Sequence, residues 1–246
     1  MKKTETKVIV FDLDGTLLDT MGKPKGKSGI DITQKNTQAY VKAMKKFFEI
    51  PEQIAGEQHI RTSGKPMFMQ IPNLLKQEKI QASEQQRKNA ESYALKLVLQ
   101  GMPKLFPKTK KMLLTLKKEG WKMIVSSGSV KATPVVKKTG LNKYLDEVLN
   151  ADHPNQFYKG VPHFRYIFKK YPAEEYFFAT DSLHDIEKAK QAEQVLGKKI
   201  HCIGRIGTFT KKEWTGKAEF VFQNSLELSD YLKDKTTSRT TNEKVL

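Results

Sequence analysis

Residues 7–16, KVIVFDLDGT, decide how the rest of the chain is read. Four apolar, mostly β-branched residues make a short buried strand, and the chain then places Asp12 and Asp14 at its end. With a side-chain period of two, both carboxylates point the same way. Unpaired charge is costly to bury, so two acids closing an apolar strand suit a cation or a reacting group better than a plain core. Gly15 and Thr16 then let the backbone turn away.

Further short apolar runs follow at 121–127, 175–180, 198–204 and 219–224. Segments of helical spacing lie between them, among them PKTKKMLLTLKKEG, SVKATPVVKKTG and DIEKAKQAEQVLG. Strand alternating with helix predicts an α/β fold: a Rossmann-like, doubly wound parallel sheet. The stretch 21–103 breaks the rhythm, since it has no convincing strand and is rich in Lys, Gln, Met and Ala. It predicts an inserted α-helical cap, hinged at MGKPKGKSG and GMPKLFPK. The expected division is a core of 1–20 and 104–234, a cap of 21–103 and a flexible polar tail of 235–246.

Three more stretches carry chemistry. In MIVSSGS, Ser126 and Ser127 follow a strand and precede a helix, where hydroxyls and free N–H groups favour an anion. In YKGVPHF, Lys159 stands before a Gly/Pro turn; on local grounds nothing separates it from the other 43 basic residues, and only its order along the chain singles it out. In FFATDSLHD, Asp181 ends an apolar strand and Asp185 follows four residues later, a spacing that lets both acids approach one cation, although a helix cap would account for Asp185 by itself. Parallel sheets bind ligands beyond the carboxyl ends of their strands, where the first, second and last of these four stretches lie.

In this order the stretches FDLDGT, VSS, Lys159 and TDSLHD resemble the haloacid dehalogenase-like hydrolase superfamily, over nearly the whole chain, including the place of the helical cap. The resemblance implies a phosphatase of small phosphomonoesters. Asp12 would be the nucleophile that becomes an aspartyl-phosphate, and Asp14 the acid and base. Asp12, the Asp14 carbonyl, Asp181 and Asp185 would hold magnesium, and Ser126, Ser127 and Lys159 would bind the phosphoryl oxygens. Three departures stand out: Thr180 replaces the usual glycine and is expected to crowd or re-aim Asp181, Gly160 replaces a frequent proline, and His163 stands where an aspartate is common. In the cap, HIRTSGKPMF offers Arg61 and Lys65 beside a Ser-Gly turn as contacts for an anionic substrate. A phosphosugar mutase on the same fold, or a non-catalytic anion-binding protein, is the alternative.

Composition bounds these readings. The 246 residues suffice for one large domain with an insertion. The single cysteine, Cys202, excludes a disulfide framework or thiolate metal site within the chain and reads as a buried apolar residue. No signal peptide or membrane segment is evident, so a cytoplasmic location is the expectation. The formal charge of +17 admits a nucleic-acid partner, but the lysines are scattered without interleaved aromatics, which favours a solvated surface and a small phosphorylated metabolite as partner.

Overall fold

The computed structural model describes residues 6–21, 23–24, 30–31, 34–62, 65–100, 103–129, 131–150 and 159–242. Among them, six strands form one parallel sheet: β1 (Val8–Phe11), β4 (Lys122–Ser126), β5 (Glu147–Leu149), β6 (Glu175–Thr180), β7 (Lys199–Arg205) and β8 (Phe220–Phe222). Their order is β5-β4-β1-β6-β7-β8, and β1 pairs on one side with β4 (Val8 opposite Lys122) and on the other with β6 (Val8 opposite Tyr176). The first strand is thus central and dry on both faces, which is why it reads as an unbroken apolar run.

Side chains alternate between the two faces. Ile9, Phe11, Met123, Val125, Phe177 and Ala179 pack against α5 (Thr109–Lys118), α6 (Ala132–Thr139) and α10 (Ser225–Asn242). Val8, Val10, Ile124, Tyr176 and Phe178 pack against α7 (Val161–Lys170) and α8 (Leu183–Leu196). Fully burying each Val, Ile or Phe contributes about 1.5–3 kcal/mol, so the strands carrying the site stand on the most stable part of the molecule. A short helix, α9 (Lys211–Trp214), lays Trp214 against the backbone of Gly204, where a Cβ would have no room.

Among the described residues, the cap holds four helices: α1 (Lys35–Phe48), α2 (Glu52–Arg61), α3 (Met67–Gln77) and α4 (Glu84–Leu99). They enclose a separate apolar cluster built on Tyr40, Met44, Ile71, Leu74, Ala90 and Ala94. Helix α4 begins at a capping box, with the Ser83 hydroxyl accepting from the Gln86 N–H and the Gln86 side chain accepting from the Ser83 N–H.

Three details depart from the sequence reading. A two-residue antiparallel ladder, β2 (Lys23–Pro24) with β3 (Ile30–Asp31), lies in the stretch expected to lack strands. Strand β5 has no counterpart in the sequence reading, because three residues at a sheet edge, two of them only half-buried, carry almost no hydrophobic pattern. The final helix runs to Asn242, into the stretch expected to be a flexible tail from 235, since its first turns are anchored by buried Leu228 and Leu232 and helix propagates readily once nucleated. The expected hinges fall partly on residues 22, 25–29 and 101–102, which lie outside the described residues. Among the described residues no helix is long and apolar enough to cross a membrane.

Candidate active site

The backbone N–H of Asp12, one residue past β1, donates to the Ala179 carbonyl at 2.8 Å, so the ladder with β6 reaches the first acid of the motif. The ammonium of Lys159 lies 2.5 Å from Asp12 Oδ1 and 2.6 Å from Asp185 Oδ2, and none of the three side chains is more than 7% exposed. Burial raises the Asp12 pKa to about 6; the Lys159 charge opposes the shift, while Asp185 and Asp14 reinforce it. Burial pulls Lys159 down, but the two carboxylates overcome it and hold the ammonium above the ordinary lysine range. A lysine known in the sequence only by its order therefore touches both acid motifs.

Asp14 accepts a hydrogen bond from the Thr20 hydroxyl at 2.7 Å and another from the Asn36 side chain. Burial nonetheless raises its pKa above the usual carboxylate range, which favours a carboxyl that holds a proton and gives it up. Neither Thr20 nor Asn36 was singled out in the sequence. Both belong to the entry into the cap, and the Asn36 N–H donates to the Thr20 carbonyl at 2.8 Å.

Asp181 is fully buried. Thr208, 27 residues further on, donates its hydroxyl to Oδ2, and Oδ1 has no hydrogen-bond partner. Burial, and then the charge of Asp12, raise its pKa well above the ordinary value. Asp185 Oδ2 is held by Lys159, while Oδ1 again has no partner. Helix α8 is capped by Ser182, whose hydroxyl accepts from the Asp185 N–H, so Asp185 is not spent as a cap. The Thr180 hydroxyl is engaged away from Asp181: it accepts from the Ser182 N–H and donates to Asp185 Oδ2 at 3.3 Å.

Two buried carboxylate oxygens without partners, in a cluster of acids that repel one another, form a donor set chemically suited to a hard divalent cation. Among the described residues no three acidic, imidazole or thiolate groups already enclose one cation position. The fit rests on the orphaned oxygens and on the chemistry of the donors.

A cavity connects these acids to the cap. Its core wall includes Asp12, Asp14, Ser127, Ser129 and Lys159, and its cap wall includes His59, Lys65, Pro66, Met67, Phe68 and Gln70. The structure separates the two serines proposed for phosphate binding. Ser126 shares the face of Ile124, toward α7, and its hydroxyl lies 2.6 Å from Nδ1 of buried His163, the residue in the frequent aspartate's place. Ser126 does not line the cavity, whereas Ser127, on the opposite phase of the strand, does.

Arg61 is a second correction. It is the last residue of α2, exposed and not among the residues that line the cavity. Of the two basic residues proposed in the cap, Lys65 lines the cavity; Ser63 and Gly64, between them in the sequence, lie outside the described residues. Lys65→Ala is expected to raise KM for an anionic substrate by roughly 3–30-fold through loss of one charge contact, with Arg61→Ala within about twofold of wild type. Steady-state kinetics on the two variants check this.

The fold is similar to several solved structures. A predicted phosphoglycolate phosphatase from Haemophilus somnus is 19% identical, with 94% of this chain and 99% of that one covered and a TM-score of 0.71. A hydrolase from Pseudomonas syringae is 20% identical, covering 93% and 99%, with a TM-score of 0.72. A β-phosphoglucomutase from Clostridium difficile is 16% identical, covering 96% and 99%, also at 0.72. No curated protein sequence matches the chain. The model of the haloacid dehalogenase-like hydrolases matches residues 6–193, which takes in every acid and the lysine of the site, and the chain belongs to that family.

Proposed function

We propose that this chain is a magnesium-dependent phosphatase that hydrolyses a small phosphomonoester through an aspartyl-phosphate on Asp12. The observation that carries the reading is the pairing of Asp12, held against Lys159, with Asp14 two residues on, its proton affinity raised by burial. An Asp12 oxygen attacks phosphorus and the bond to the leaving oxygen breaks, while Asp14 gives that oxygen its proton. Water then attacks the phosphorus of the aspartyl-phosphate, Asp14 takes the water's proton, and phosphate and the Asp12 carboxylate are released. Ser127 and Lys159 bind the transferring phosphoryl oxygens, where the charge concentrates.

Asp12, the Asp14 carbonyl, Asp181 and Asp185 are the groups that would hold magnesium, which when bound offsets the charge between the carboxylate and the incoming phosphate. The similar proteins described as a predicted phosphoglycolate phosphatase and a β-phosphoglucomutase support a small phosphorylated substrate. The test is phosphate release from para-nitrophenyl phosphate and a panel of sugar phosphates, nucleotides and phosphoglycolate, with magnesium against EDTA. Turnover that needs magnesium is the expected result. A folded protein that releases no phosphate from any of them overturns the reading, and isomerised sugar phosphate without free phosphate would make it a mutase.

A further inference from the structure

The cap wall carries a hydrogen-bond relay that fixes the proton on one buried imidazole. The side-chain amide nitrogen of Gln70 donates to the backbone carbonyl of Lys65 at 2.6 Å and, more weakly, to that of Thr62 at 3.4 Å. With the nitrogen so placed, Gln70 Oε1 is the atom 2.7 Å from His59 Nδ1. A carbonyl oxygen only accepts, so Nδ1 carries the ring proton, and a neutral imidazole then presents Nε2 as a bare acceptor.

Neighbouring groups keep the arrangement rigid. Tyr40 stacks on the imidazole with centroids 4.7 Å apart and gives its hydroxyl to Gln58 Oε1 at 2.8 Å. Gln58 Nε2 in turn donates to the Gln70 carbonyl at 3.1 Å. His59 is 4% exposed and lines the cavity shared with Asp12 and Asp14, yet its Nε2 is shielded from solvent and has no hydrogen-bond partner. Burial also holds the imidazole pKa down at about 4, so the ring stays neutral where the enzyme would work. Half-buried Glu91 adds a second acceptor to the same wall, beside apolar Met67, Phe68 and Leu95.

We propose that His59 Nε2 is the specificity-determining acceptor for a hydroxyl group on the leaving-group half of the substrate. The inference rests on the phosphatase reading and deepens it: the ester hydrolysed is that of a hydroxylated alcohol, such as a polyol or sugar. An unhydroxylated leaving group leaves the lone pair unmet, and a carboxylate facing it sets lone pair against lone pair. Sites built to bond a substrate hydroxyl discriminate strongly against the analogue without it, because the buried partner is left unmet.

The test compares kcat/KM for hydroxylated esters (glycerol 3-phosphate, ribose 5-phosphate and glucose 6-phosphate) with that for propyl phosphate and phosphoglycolate, using the full chain with magnesium. Wild type is expected to favour the best hydroxylated ester by about 10²-fold. His59→Phe keeps the stack on Tyr40 and removes the acceptor, and Gln70→Leu releases the tautomer lock. Each should cut that ratio at least about tenfold, with thermal melts reporting the fold. A wild-type ratio below about threefold overturns the proposal without any variant, as does a ratio unchanged in a folded His59→Phe protein. Para-nitrophenyl phosphate is the control that separates the two readings. Its hydrolysis without a hydroxyl preference sinks only the role of His59, whereas no phosphate from any ester sinks the phosphatase reading and this inference together.

Discussion

Exchange of Asp12 for Asn is expected to lower phosphate release by roughly 10³-fold or more while leaving the chain folded. An amide cannot form the aspartyl-phosphate, and the loss falls on kcat because binding groups such as Ser127 remain. Lys159 keeps Asp185 at 2.6 Å, so the buried ammonium is not orphaned. Stability should move the opposite way. The Asp12 pKa rises from 3.8 to about 6 on folding, so between those values the folded state binds more protons than the unfolded one. This contribution to stability therefore falls as pH rises through that window, and the cost is complete above about 6. Asn carries no such cost. In EDTA, the melting temperature of the variant minus that of wild type should accordingly grow between pH 4 and pH 7, by several degrees for a shift on the order of 2 kcal/mol. A difference that stays flat or shrinks with pH would mean that Asp12 is not destabilised by burial, and calorimetry at the two pH values decides it.

The second large effect is expected at Gly15. Its φ is +76°, and a Cβ there would overlap the Asp181 carboxylate. Gly15→Ala should cost about 1–2 kcal/mol for the left-handed backbone, and in addition force Asp181 away from Thr208. Displacement of about 1 Å at such a group is worth on the order of 10² in rate. Gly120→Ala is the control, since φ is +82° there and nothing lies within 4 Å of the added atom. The control should show the backbone cost with full activity. If the two variants melt and turn over alike, the close approach of Gly15 to Asp181 has no consequence for the reaction.

Much of this was legible in the sequence because it is local. A dry strand must be apolar throughout, and acids at its end stand out against it, so β1, β4, β6 and β7 and the acids Asp12, Asp14 and Asp181 could be read directly. Adjacent serines were another matter. Ser126 and Ser127 are chemically alike, and only the phase of β4 puts one against His163 and the other in the cavity. Arg61 and Lys65 read alike in the sequence, and only the fold leaves the arginine exposed at the end of α2 while the lysine lines the cavity. Thr208, Thr20, Asn36 and the relay from Gln70 to His59 left no local signal at all. Each acts on a partner 6 to 27 residues away or across the cavity, and hydroxyl and amide side chains are too common in loops and helices to be noticed before the fold brings them together.

The cap leaves the core through a neck whose two chains are already bonded to each other. The Asp19 N–H donates to the Lys104 carbonyl at 2.8 Å, the Phe106 N–H to the Leu17 carbonyl at 3.1 Å, and Leu18 bridges Leu105. Ends held that close make the length of what lies between them nearly indifferent to the core, because closing a loop twice as long costs only about 0.6 kcal/mol more. A short turn or an unrelated insert could be spliced across the same neck without shifting the register of the sheet. Mutation can therefore lengthen, shorten or replace the cap while the core that carries Asp12, Asp14, Asp181 and Asp185 is inherited intact.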